Sequence, residues 1–111
     1  MTNGQAIMYL LGLVERRHDR PIRANELYLF IRRCKGAFAL PDEVSDAFDR
    51  TEYDYDASLL FLIMEKLREE ELLSGSGSGF RLAPKGVEVV VALPRSVELH
   101  QFERVAERLA A

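Results

Sequence analysis

"LLFLIMEKLREEELLSGSGSGFRLAPKGVEVV", residues 59–90, decides how this chain folds. Its first half is helical in pattern. Leu60, Ile63, Met64 and Leu67 recur at the spacing that puts apolar side chains on one face, which predicts a helix over about 57–72. Glu69, Glu70 and Glu71 stand near its end, where the helix dipole disfavours carboxylates. Leu72-Leu73-Ser74 and Phe80-Arg81-Leu82 then flank Gly75-Ser76-Gly77-Ser78-Gly79. Two short apolar segments joined by five turn-forming residues read as a β-hairpin with a loose tip. Pro84 suits the first position of another helix, with Val87 to Leu93 as its body. Val89-Val90-Val91 is equally compatible with a strand on propensity alone.

Upstream, Thr2 or Asn3 can cap a first helix, and Ile7, Leu10, Leu11 and Val14 follow at helical spacing. The run Glu15-Arg16-Arg17-His18-Asp19-Arg20 ends it, with cations where the dipole favours them. Pro21 forces an extended step, and Ile22 either adds a very short strand or plugs the core. A second helix is expected from about Ala24 to Cys34, with Leu27, Phe30, Ile31 and Cys34 inward and Gly36 at the left-handed cap position. Pro41, Asp42 and Glu43 open a short helix reaching about residue 49, and Thr51 to Asp56 reads as a turn. Ser96 opens a last amphipathic helix whose apolar side is Val97, Phe102, Val105, Ala106 and Leu109.

At 111 residues, one domain with one core is expected, over 1–93, followed by the C-terminal helix at 94–111. The longest apolar run, Leu59 to Met64, is far too short to span a membrane. No basic segment leads into an apolar one at the N-terminus, as a signal peptide would require. The single cysteine, Cys34, cannot form an internal disulfide, and His18 and His100 lie far apart in sequence. These features predict a cytoplasmic protein with no metal site and no cofactor. The net charge of −3 hides an asymmetry: residues 1–41 carry seven Lys/Arg against three Asp/Glu, whereas 42–71 carry three against eleven.

Helix, helix, helix, hairpin, helix is the order of a winged helix-turn-helix domain. The 59–90 stretch resembles the third helix and wing of PadR- and MarR-type regulators. There a helix ending Leu-x-x-Glu-Glu-x-Leu-Leu enters a hairpin that closes with an aromatic, Arg-Leu, a small residue and Pro-Lys-Gly. "RPIRANELYLFI", residues 20–31, is similar to the step into the second helix of such proteins. The resemblance covers about 1–36 and 55–93, and the acidic insert at 41–56 departs from it. It implies a mainly α fold with a small hairpin, a wing at about 72–83, and a non-enzymatic regulator that binds double-stranded DNA as a homodimer.

Arg16, Arg17, Arg20, Arg23, Arg32, Arg33 and Lys35 carry enough positive charge to meet phosphates, with Ser58 and Arg81 as further candidates; the alternative is a solvated or ion-paired face. The third helix speaks against DNA. Its outward positions are Ser58, Phe61, Leu62, Glu65 and Arg68, approached by Glu52, Asp54 and Asp56. Carboxylates repel the phosphate backbone, and Phe61 and Leu62 offer a base edge no hydrogen bond. Those two side chains instead predict a covered apolar surface, formed with the acidic insert or with a protein partner. Val97, Phe102, Val105 and Leu109 make a second stripe, suited either to a dimer or to folding back on the domain. The class-different function is therefore a winged-helix protein–protein module that does not bind DNA. Tyr53-Asp54-Tyr55-Asp56 lacks the ligand pattern of a calcium loop. No nucleophile elbow, phosphate loop or metal-ligand spacing gives catalysis a foothold.

Overall fold

The computed structural model describes residues 3–37, 58–76 and 78–93, with positions 100, 103, 104, 107 and 108, and the backbone alone at 3, 6, 34–37, 58 and 59. The expected 42–49 helix, the turn at 51–56 and the apolar residues Val97, Phe102, Val105 and Leu109 lie outside the described residues. The described chain is mainly helical. Helices α1 (Asn3–His18), α2 (Ala24–Ala37) and α3 (Ser58–Glu69) precede strands β1 (Leu73–Ser76) and β2 (Gly79–Leu82), and α4 (Pro84–Val91) follows. The strands form an antiparallel hairpin with Leu73 opposite Leu82 and Ser76 opposite Gly79.

Four boundaries differ from those expected. Helix α2 runs through Gly36 to Ala37, so this glycine is a tolerated helical residue and not a stop. The hairpin takes Gly75, Ser76 and Gly79 into its strands, leaving positions 77 and 78 to connect them. Gly75 sits opposite Phe80 at φ +103, a conformation that L side chains rarely adopt. The valine run is helix and not strand, and α4 ends at Val91 before reaching Leu93. Helix α3 stops at Glu69, short of residue 72, because the chain turns in a Schellman motif. The Leu72 N–H donates to the Leu67 carbonyl at 2.9 Å and the Glu71 N–H to that of Arg68 at 2.9 Å. This places Glu71 at φ 64, a left-handed position usually held by glycine.

Helix α1 lies at the centre and touches α2, α3, β2 and α4. Every residue from Ile7 to Val14 is buried apart from half-buried Gly12. The expected one-sided stripe was too narrow: Tyr9 and Leu13 are buried as well, on the flank of α1 that faces β2 and α4. Leu27, Phe30 and Ile31 from α2 and Leu60, Met64 and Leu67 from α3 complete the core with Leu73 and Phe80. Ile22 fulfils both of its expected roles. It is fully buried and forms an antiparallel bridge to Phe80, its N–H donating at 2.9 Å and its carbonyl accepting at 2.8 Å.

Helix α4 is seated by a glycine. The Ala83 N–H donates to the Leu72 carbonyl at 3.0 Å, and a Cβ on buried Gly86 would collide with that same oxygen. Gly86→Ala is therefore expected to lower stability by ~1–3 kcal/mol, the cost of overpacking. Glu71→Gly is expected to raise it by up to ~1 kcal/mol, since a left-handed conformation strains an L-residue by ~1–2 kcal/mol and glycine's unfolded-state entropy returns part of the gain. Urea unfolding of the two variants checks both signs.

Candidate interaction surfaces

The basic residues are spread over the end of α1, the link and the C-terminal half of α2. Arg16 and Arg17 occupy the last turn of α1, Arg20 and Arg23 the link, and Arg32 and Arg33 the outer face of α2. Lys35 lies on α2, with its side chain outside the description. Three of the expected phosphate ligands are engaged by carboxylates. Arg20 forks onto Glu26, donating from Nη1 to Oε1 at 3.0 Å and from Nη2 to Oε2, and also donates to the Pro21 carbonyl. Arg81, on β2, points back to Glu15 at 3.6 Å, and the other oxygen of that carboxylate accepts the Leu82 N–H. Arg16 meets Glu103 and Glu107, each at 3.5 Å. Arg32 lies over the Tyr28 ring, 5.9 Å from its centroid, while Arg17 and Arg33 are exposed.

Glu26 was not singled out from the sequence, yet it organises the link. It is the third residue of α2, and its carboxylate reaches back to the Arg23 N–H at 3.2 Å, half of a capping box. The signal was legible: a glutamate three residues into a helix that lacks a good capping side chain. The Arg20 hydrogen bonds hold the Glu26 carboxyl below its ordinary range, outweighing partial burial, and raise the guanidinium in return.

Helix α3 presents a different chemistry. Leu60, Met64 and Leu67 face inward. Phe61 leans on Phe80 edge-to-face, with centroids 6.1 Å apart and planes at 67°. Leu62 is 62% exposed, and Lys66 and Glu69 share its outer side. Arg68 turns along the helix to Glu65 at 2.7 Å, which raises the guanidinium and removes the arginine from an outward role. Ser58 opens the helix, with its side chain outside the description. Leu29 on α2 is 58% exposed, an apolar surface position not anticipated from the sequence.

At the other end of the chain, Glu103 and Glu107 are helical in conformation and lie against α1. Besides meeting Arg16, Glu103 accepts a hydrogen bond from the Tyr9 hydroxyl at 3.2 Å. These ionic ends thus fold back onto α1 of their own chain. Among the described residues, no three His, Cys, Asp or Glu side chains group as a metal site needs, and no helix is long and apolar enough to cross a membrane. Comparison with protein-family models, curated proteins and solved structures finds no match to this chain.

The Arg20–Glu26 pair makes a pH-dependent prediction. A carboxyl whose pKa is lowered by folding adds stability above its unfolded value of about 4.3, and loses it as the pH falls toward the lower native value. The stability difference between wild type and Glu26→Gln is expected to be full at neutral pH and to shrink steadily below about 4.3. Urea midpoints for both proteins across that range provide the check. A difference that grows on acidification would reverse the assigned sign.

Proposed function

We propose that this chain is a winged-helix-type domain that acts by contacting another protein through α3 rather than by reading DNA. The observation that carries the proposal is the character of α3. Its outer side offers Leu62, with exposed Lys66 one turn on and exposed Glu69 and Glu70 beyond it, and the one nearby arginine on the helix is spent on Glu65. Such a surface is apolar at its centre and mixed in charge around it, and it has no fork of donors for a base edge. It suits a partner with an apolar anchor and a basic rim, since charge complementarity steers and registers such contacts.

The arginines add support. Arg16, Arg20 and Arg81 are held by carboxylates of the same chain, so binding phosphate would first require breaking those pairs. DNA binding, which the PadR/MarR resemblance implies, keeps the support of exposed Arg17, Arg32 and Arg33. A homodimer and a larger hetero-assembly both fit the leading proposal.

Leu62→Asp is expected to leave the unfolding midpoint within the ~0.5 kcal/mol typical of surface changes while abolishing self-association or capture of a basic partner. A variant that associates as the wild type does would remove α3 from the interface. Filter binding to duplex DNA at ~50 mM salt is expected to give no retention. Salt-dependent binding weakened by Arg17→Ala or Arg32→Ala would establish the DNA alternative instead.

A further inference from the structure

A cavity of about 380 Å³ opens between α1, β2 and α4, with Glu103 at its edge. Leu13 from α1, Leu82 from β2 and Val87, Val90 and Val91 from α4 give it an apolar wall. Val87 and Val91, one helical turn apart, are 45% and 69% exposed. Scattered surface valines are ordinary. These two instead continue a wall whose deeper part, Leu13, is buried. The volume lies within the range of small-molecule sites, which pair an apolar lining with a few placed polar groups.

The charged groups around the cavity limit what it can hold. Glu15 is matched by Arg81, and Glu103 by Arg16. A ligand charge set against either pair would have to displace one of its members, and an uncharged ligand leaves both intact. Arg81 meets Glu15 through a single nitrogen at 3.6 Å, and a guanidinium carries further N–H donors beyond that one. Asp19 lies exposed and faces solvent at the rim.

We propose that this cavity is a binding site for a small, uncharged, apolar molecule carrying one hydrogen-bond acceptor, with the apolar body against the α4 valines and the acceptor toward Arg81. The site is separate from α3 and does not depend on how α3 is used. It is tested by titrating the full chain with prodan, an uncharged naphthyl ketone whose emission shifts to the blue in apolar surroundings. Wild type is expected to show saturable, one-site binding. Val87→Asp and Val91→Asp, each at an exposed position and each melting like wild type by circular dichroism, are expected to weaken it about tenfold or more, since each sets a charge in the apolar wall. Leu62→Asp, on the opposite kind of surface, is expected to bind prodan normally. The proposal is overturned by binding that does not saturate, or that is indifferent to both valine variants, or that is lost with Leu62→Asp. It is equally overturned if Val91→Asp changes the oligomeric state by light scattering, because the wall would then be a contact between copies of the chain.

Discussion

The bridge between Ile22 and Phe80 is the constraint on which the rest of the structure depends. A two-stranded hairpin is marginal by itself in water and needs a third element or a packed face. Here the extended link between α1 and α2 supplies that element, through a reciprocal pair of backbone hydrogen bonds and two fully buried side chains. Pro21 keeps the link extended just before the bridge. Phe80 packs edge-to-face with Phe61 of α3, so one aromatic ring ties the hairpin, the link and α3 together. Helix α4 then takes its position from the hairpin base, where Leu72 receives Ala83 and Gly86 permits the close approach.

Charge is distributed to hold these parts together more than to greet a polyanion. Glu15 fastens β2 to α1 through Arg81, Glu26 closes the link through Arg20, and Glu103 with Glu107 fastens the C-terminal residues to Arg16. These pairs are partly exposed, so each contributes little to stability. Their consequence is directional. An arginine facing a carboxylate a few ångströms away is a poor phosphate ligand, and three of the expected ligands are in that position. Among the described residues, the large apolar side chains left exposed are Leu29 on α2, Phe61 and Leu62 on α3, and Val87 and Val91 on α4.

Much of the framework was legible in the sequence because it rests on local pattern. The heptad-like spacing of Leu60, Met64 and Leu67, the apolar pairs around the Gly/Ser run and Pro84 each specify an element within a few residues of themselves. The element ends were less legible, since they depend on backbone geometry: Glu71 accepts a left-handed conformation without being glycine, and Gly36 passes through a helix without ending it. The centrality of α1 was also hidden. Tyr9 and Leu13 look like the outer side of an amphipathic helix, yet both are buried on the flank that faces α4 and β2. Which arginines are paired could not be read locally, because Arg16 and Arg81 meet partners far away in sequence, whereas the partner of Arg20 stands six residues on.

The bridge is tested most directly by amide hydrogen exchange at Ile22 and Phe80. If link, hairpin and α3 form one cooperative unit, both amides open only when the whole domain unfolds, and their protection equals the global unfolding free energy. The Ser76 amide, further out on the hairpin than Phe80, then exchanges faster. Ile22 and Phe80 amides that exchange as fast as that of Ser76 would contradict the account, by showing that the hairpin detaches while the helices stay folded.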